Sequence, residues 1–365
     1  MLRRTTTLIG ILVFALSLAG CTPNVATTTT LSGSAATISV GQSITFTATA
    51  AAPSLNQAMS GSIVFSDGAT SLGAVPLSGG VATLTTAALA PGSRTITARF
   101  VPSGTGYAGS SATLSINVQR FHLALGDSLA AGTGAPAGQG YVPLVTAGQL
   151  PRLPGLTLRN LSCGGATTTS MLAGGGCSYA QGTQVAAAEA FLAAHPGSVS
   201  FITIDIGAND VSGCVSAAGT DPVCAAARLP VVQTNLAQIL ARLHAAAPGV
   251  PIVGMTYYNP FLAFWVAGNQ AAAASSNAGA LTFNDALSST YAAASVLVAP
   301  VEEAFGTEDT ALTGTYSGLT VPQNVANICA WTRMCTNSDI HANATGHALI
   351  ANTFRTVLNS AVPAG

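Results

Sequence analysis

Four short segments of this chain gather residues able to do covalent chemistry. They are Gly126-Asp127-Ser128-Leu129, Asn160-Leu-Ser-Cys-Gly164-Gly165-Ala-Thr167, Gly207-Ala208-Asn209-Asp210, and Ser338-Asp339-Ile340-His341-Ala342-Asn343, the last ahead of Gly346-His347. A serine hydroxyl is a poor nucleophile until a base takes its proton, and histidine, titrating near neutrality, suits that task. The glycine turn at 164–165 is of the kind that bares backbone N–H groups, and preorganised donors are what an acyl-transfer oxyanion needs. Each segment alone is weak, since a Gly-Asp-Ser triplet is common by chance. Together, and in this order, they point to nucleophilic catalysis at a serine.

Such residues work only if a scaffold brings distant stretches together, and the hydrophobic periodicity indicates one. Residues 121–125 read as a short apolar strand, 185–194 as a helix stopped by Pro196-Gly197, and 198–206 as a buried strand. A longer helix is expected over 229–247, with Val232, Leu236, Ile239, Leu240 and Leu243 at helical spacing before the Pro248-Gly249 stop. A strand at 250–255, a helix at 281–294 and a strand at 296–299 follow, and Asn343 should cap a last helix through residue 358. Strands alternating with helices imply a parallel sheet covered on both faces, with ligands at the carboxyl ends of its strands. Ser128 and Asn209 fall just after such ends. Ser128 is expected at a strand-to-helix turn, where the positive helix N-terminus would favour developing negative charge.

Before residue 120 the period is two. Ile44, Phe46 and Ala48 alternate with threonines, as do Ile96, Ala98 and Phe100 with Thr95, Thr97 and Arg99, and Leu114, Ile116 and Val118 with polar residues. Turn signals at Ser66-Asp67-Gly68, Ser78-Gly79-Gly80 and Pro91-Gly92-Ser93 punctuate them, so 33–119 reads as a β-sandwich. Residues 21–32, mostly Thr, Asn and Ala, read as a linker with nothing to bury.

With these residues in view, 121–365 resembles the SGNH, or GDSL-type, hydrolases, which are esterases and lipases. The resemblance implies a three-layer α/β/α flavodoxin-like fold and no metal or cofactor. By position it makes Ser128 the nucleophile and His341 the general base. The Ser128 and Gly165 N–H groups and the Asn209 amide become the oxyanion donors, each worth roughly 10²–10³ in rate. The family places an aspartate three residues before the histidine. Here Ser338 holds that position and Asp339 stands two before, so either Asp339 or a main-chain carbonyl must orient the imidazole. An α/β-hydrolase is disfavoured, because Gly-Asp-Ser-Leu-Ala lacks the final glycine of a nucleophile elbow. Residues 33–119 are similar to bacterial Ig-like domains through Gly61-Ser-Ile-Val-Phe65, Gly73, Leu89-Ala-Pro-Gly92, Thr95-Ile-Thr-Ala98 and Tyr107. That likeness suggests a spacer, or a module touching cell wall or glycan. The substrate would be an ester or lipid, with an acetylated polysaccharide as the rival. A surface-binding protein carrying a vestigial hydrolase domain is the reading from another class.

Composition narrows the setting. Only 6% of the 365 residues are charged, against roughly 25% in an average soluble protein. All 11 basic residues are arginine and 12 are acidic, giving a net charge of −1 and no basic patch for nucleic acid. Mean hydropathy is +0.50, yet no apolar run reaches the roughly 20 residues of a spanning helix. The longest, residues 8–20, follows Arg3 and Arg4 in the manner of a secretory signal peptide. Leu18-Ala19-Gly20-Cys21 resembles the lipobox of bacterial lipoproteins, which implies lipidation of Cys21 and a membrane tie through that lipid alone; ordinary cleavage is the alternative. An exported envelope protein, anchored or shed, is therefore expected.

The other six cysteines form local couples, Cys163 with Cys177, Cys214 with Cys224 and Cys329 with Cys335, as suits disulfides in an exported chain. Asp127 and Asp210 read as braces for the catalytic turns, and Asp205 as a strand aspartate without an evident partner. His347 reads as structural. So do His195 and His244, near helix ends where an imidazolium suits the dipole. His122 opens the first strand without an acid partner. Glu302-Glu303 and Glu308-Asp309 read as a solvated acidic face, and Phe261-Leu-Ala-Phe-Trp-Val266 as either acyl-pocket lining or core.

Overall fold

A computed structural model describes residues 24–55 and 58–364. The expected signal peptide (1–20) and Cys21 lie outside the described residues. By internal contacts the chain forms two compact units.

The first unit is all strand. Thr28–Gly33, Ile44–Ala51 and Val81–Thr86 form one sheet, with Ile44–Ala51 central. Gly61–Asp67 lies between Thr70–Pro76 and Gly92–Pro102, antiparallel to both. The alternation read from the sequence places Ile44, Phe46, Ile63, Phe65, Ile96 and Phe100 in the core, each at most 1% exposed. The linker expected through residue 32 differs. Thr28–Gly33 is a strand paired along its whole length with Gly33↔Phe46 to Thr28↔Ala51. It buries no side chain, so its composition gave no burial signal. Backbone pairing and the strand preference of threonine order it instead.

The second unit carries the parallel sheet. Its first strand is the latter part of Ser111–Gly126; the others are Leu156–Asn160, Val199–Asp205, Ile252–Met255 and Leu297–Ala299. Numbered in chain order they stand 2-1-3-4-5, all parallel, which is the flavodoxin-like order. The helices form two packed groups. Tyr141–Gln149 lies on Ala344–Ala361; Gln184–Ala194 lies on Pro222–Ala246, which lies on Gln270–Ala293. Strand residues Leu123, Ile202, Ile204 and Val253 are fully buried, as both faces of a covered parallel sheet require.

Two helices run longer than the periodicity indicates. The one expected at 229–247 spans Pro222–Ala246, because Asp221 caps it by accepting from the Val223 and Cys224 N–H groups and Pro222 suits the first turn. It continues through Pro230 despite the lost donor. The one expected at 281–294 spans Gln270–Ala293, capped by Asn269. Its alanine-rich first half shows little contrast between faces, yet alanine is the best helix former.

The helix expected after Ser128 is absent. Residues 127–134 form successive turns, and the next helix begins only at Tyr141. Individual N–H groups, rather than a helix terminus, must therefore meet any charge there. At the C-terminus Asn343 does cap Ala344–Ala361, its Oδ1 accepting from the Thr345 and Gly346 N–H groups. Asn343→Ala should cost about 1 kcal/mol or somewhat more, read as a lowered midpoint in urea unfolding with the slope unchanged.

Candidate active site

The site starts at Gly126, which ends its strand opposite Asp205 with φ of +148°; a Cβ there would lie 1.5 Å from the Asp205 carboxylate. The turn that follows is fastened by its N–H groups. Gly126 N–H donates to Gln184 Oε1 at 2.8 Å, Asp127 N–H to Asp205 Oδ1 at 3.2 Å, Leu129 N–H to Asp127 Oδ1 at 2.9 Å and Ala130 N–H to Asp205 Oδ2 at 3.0 Å. Among the described residues the Ser128 N–H meets no acceptor, so it alone in this run is left for another partner.

His341 arrives from the far end of the chain on the short strand Asp339–Ala342, paired with Thr332–Arg333. Its Nε2 lies 2.8 Å from Ser128 Oγ, and its Nδ1 lies 2.5 Å from Asp339 Oδ1, which also accepts the His341 N–H at 3.1 Å. Of the two groups that could orient the imidazole, the structure has the carboxylate on it. Ser338, at φ +53°, turns the chain so that an aspartate only two residues away reaches the ring. Arg333 Nε sits 3.0 Å from Asp339 Oδ2, side chains 43% and 30% exposed, a contact of charge rather than an aligned hydrogen bond. Burial pushes Asp339 up, but its hydrogen bonds to His341 and then the Arg333 charge outweigh that and hold it below the usual carboxylate range.

Neighbouring loops fix the histidine strand. Tyr258 hydroxyl donates to Ile340 O at 2.9 Å. Gly134 packs so closely that a Cβ would stand 2.2 Å from Ala342 O. His347 is structural, as expected. It accepts from the Tyr141 N–H at Nδ1 (3.1 Å) and donates from Nε2 to Thr133 O (2.9 Å), tying the loop after Ser128 to the last helix.

Asn209 follows its strand at Gly207-Ala208. Its Nδ2 donates to Ala166 O at 2.9 Å, leaving a second proton on the same nitrogen. Asp210 accepts from the Thr168 N–H and hydroxyl at 2.9 and 2.6 Å, and Cys163 N–H donates to Gly126 O at 3.0 Å. The glycine turn is thereby tied to both the serine turn and the asparagine turn. Gly165 itself is exposed at φ +76°, and among the described residues its N–H meets no acceptor. Disulfides join Cys163–Cys177, Cys214–Cys224 and Cys329–Cys335.

Ser128, His341 and Asn209 line one cavity of about 600 Å³; Gly165 does not line it. Its other walls are largely apolar, including Leu129, Val211, Pro222, Leu229, Phe261 and Phe283. The 261–266 stretch divides: Phe261 faces the cavity, while Leu262 and Ala263 are core. Among the described residues no group of three His, Cys, Asp or Glu is placed to hold a metal ion.

Several groups gain partners that the sequence did not reveal. His122 is fully buried between two hydroxyls. Thr146 Oγ1 gives its own proton to Val142 O, so it accepts from His122 Nδ1 (2.7 Å), and Thr203 Oγ1 donates to Nε2 (2.8 Å). Burial holds this imidazole at about 3, hence neutral. His195 caps its helix, but burial lowers its pKa, so the imidazolium expected there is disfavoured. His244 donates from Nε2 to Ala294 O at 3.0 Å. Of the acidic group at 302–309, Glu303, Glu308 and Asp309 are exposed, whereas Glu302 is half-buried, its carboxyl pushed up to about 7 by burial. Asp205, without an evident partner in the sequence, is the acceptor that holds the serine turn.

The profile of the GDSL-like lipase/acylhydrolase family matches residues 124–349, and that of bacterial Ig-like domains (group 3) matches 29–119. The chain belongs to the GDSL-like lipase/acylhydrolase family, and so to the hydrolases of ester substrates, with a bacterial Ig-like domain ahead of the hydrolase domain. Similar solved structures include a phospholipase A1 from Streptomyces albidoflavus (19% identity, 67% of this chain and 100% of that one, TM-score 0.41). An extracellular lipase from Streptomyces rimosus (20%, 67% and 100%, 0.46) and a psychrotrophic esterase from Pseudoalteromonas sp. (17%, 66% and 98%, 0.40) are others. No curated protein matches the sequence.

Removing the Arg333 charge raises the Asp339 carboxyl pKa, so Arg333→Gln should move the titration midpoint of the Asp339 carboxyl, followed by NMR, upward by a fraction of a unit. An unmoved midpoint would show that Arg333 does not act on Asp339.

Proposed function

We propose that this chain is an exported serine hydrolase of carboxylic esters that forms an acyl-enzyme at Ser128. The observation that carries this is the Ser128 Oγ–His341 Nε2 contact of 2.8 Å with Asp339 on Nδ1, at the wall of a mainly apolar cavity. His341 Nε2 takes the Ser128 proton as Oγ attacks the ester carbonyl, while Asp339 keeps Nδ1–H in place and offsets the imidazolium charge. The carbonyl oxygen, now negative, is met by the unspent Ser128 and Gly165 N–H groups and the second Nδ2 proton of Asn209. His341 then protonates the leaving alcohol. Water activated by the same nitrogen attacks the acyl-enzyme and returns Ser128.

The apolar cavity favours an acyl chain over a polar glycan, so esters of fatty acids are preferred to acetylated polysaccharide. Export is supported by Arg3, Arg4, the apolar run 8–20 and three disulfides, which persist in oxidising compartments. The lipobox-like Cys21 is the proposed anchor, and the Ig-like domain the spacer that holds the hydrolase off the membrane.

Chromogenic acetate, butyrate and palmitate esters, with an acetylated glycan alongside, test the reading. Turnover should rise from acetate to the longer esters and vanish in Ser128→Ala. Asp339→Asn should lower kcat by about 10²-fold or more, and a loss under about threefold would remove its orienting role. Absence of Ser128-dependent turnover on every ester would overturn the proposal.

A further inference from the structure

Two consecutive tyrosines join the turn of the nucleophile to the strand of the base, and the acyl-transfer steps use neither. Tyr257 and Tyr258 follow the strand Ile252–Met255, are buried and line the cavity beside Ser128. Side chains of successive residues along a strand alternate in direction, and these two, just past its end, part in that manner. The Tyr257 hydroxyl donates to Asp127 Oδ2 at 3.1 Å, and Asp127, the residue before Ser128, accepts the Leu129 N–H at its other oxygen. The Tyr258 hydroxyl donates at 2.9 Å to the main-chain oxygen of Ile340, the residue before His341. One dipeptide thus reaches the neighbours of two side chains that are 213 residues apart in the chain.

The origin of both arms is fixed. Thr256 N–H continues the sheet pairing to Ala299 O at 3.2 Å. At Tyr257 a side-chain amide takes over: Asn284 Oδ1 accepts the Tyr257 N–H and its Nδ2 donates to Tyr257 O, both at 2.8 Å. Asn284 is itself buried, and an amide bonded to both groups of one residue's backbone reproduces the two bonds of an antiparallel strand partner. About two turns earlier on the same helix, Gln270–Ala293, Ser276 Oγ accepts from Asn259 Nδ2 at 3.1 Å. The rings are packed as well, Tyr258 stacked on Phe305 with centroids 4.5 Å apart and Tyr257 tilted on Phe283 at 5.8 Å. Residues 257–259 are therefore held at both ends against one helix, and each hydroxyl leaves them in one direction.

We propose that Tyr257 and Tyr258 form a bracket that sets the separation of Ser128 and His341, one arm holding the serine turn through Asp127 and the other the histidine strand through Ile340. Proton transfer from Oγ to Nε2 requires hydrogen-bond reach, and neither the parallel sheet nor the ribbon that carries His341 fixes that distance by itself. Both tyrosines are positioning residues, since their hydroxyls are spent on Asp127 and Ile340 and do not touch substrate. The kinetic arm of the test rests on the reading of Ser128 as nucleophile and His341 as base; the crystallographic arm does not.

Tyr257→Phe and Tyr258→Phe each remove one oxygen and keep the ring. On an ester substrate each should lower kcat about tenfold or more with KM within about twofold of the parent, since a misplacement of about 1 Å costs up to 10²-fold. Because breaking either arm frees the same contact, the double variant should lose little more than the worse single one. A loss nearer the product of the two, a rise in KM that accounts for the fall in kcat/KM, or an unchanged kcat in either single variant overturns the proposal. Crystal structures test the geometry whatever the reaction. Ser128 Oγ and His341 Nε2, 2.8 Å apart in the parent chain, should stand past about 3.5 Å in the double variant, or in either single variant if the double does not fold. An intact contact there overturns the proposal. Absence of Ser128-dependent turnover in the parent would overturn the functional reading instead, and the crystallographic result would still decide this one.

Discussion

The register of two parallel strands, with Gly126 opposite Asp205, is the constraint on which the remainder of the site depends. It ends both strands at the same level, so the serine turn and the asparagine turn leave the sheet side by side. It also forces the serine strand to end in a residue without a side chain, because the Asp205 carboxylate occupies the space a Cβ would need. That carboxylate then organises the turn above it. In a chain with only 12 acidic residues, two of them are spent under one serine, and desolvation on that scale is tolerated only where hydrogen-bond donors compensate for it.

The histidine side of the site is assembled differently. His341 lies 213 residues from Ser128 and rides on a short two-stranded ribbon rather than on the parallel sheet. Several local devices hold it. The Cys329–Cys335 bond closes the loop that carries Arg333, Ser338 reverses the chain in a left-handed conformation, and the Tyr258 hydroxyl holds the Ile340 carbonyl. These devices accommodate the unusual spacing of Asp339. From two residues before the histidine, the carboxylate reaches both the ring nitrogen and the His341 N–H.

Much of this was legible in the residues. Period-two alternation located the core of the first unit, because a strand with one buried face must alternate. The helix over 185–194 and the cap at Asn343 were legible because their signals are local. The signals failed where burial was not what ordered the chain. Thr28–Gly33 is held by backbone pairing alone, and the first half of Gln270–Ala293 by alanine's helix preference, so neither left a hydrophobic pattern. The turn after Ser128 failed for another reason. An expected helix gave way to side-chain acceptors from Asp127 and Asp205, one local and one 75 to 78 residues away, and nothing in the local sequence announces the second.

The sequence by itself carried the signals on which the proposed chemistry rests. A serine, a glycine turn, an asparagine and a histidine follow one another along the chain, and the alternation of strands and helices requires a parallel sheet to carry them. Only the tertiary structure decided which group lies against His341 Nδ1, where the partners of Asp205 and His122 lie, and that the cavity beside the serine is mainly apolar. The physical reason is range. Propensity, capping and periodicity act over a few residues and can be read along the chain, whereas a buried carboxyl or imidazole takes its partners from segments that meet only when the sheet closes around them.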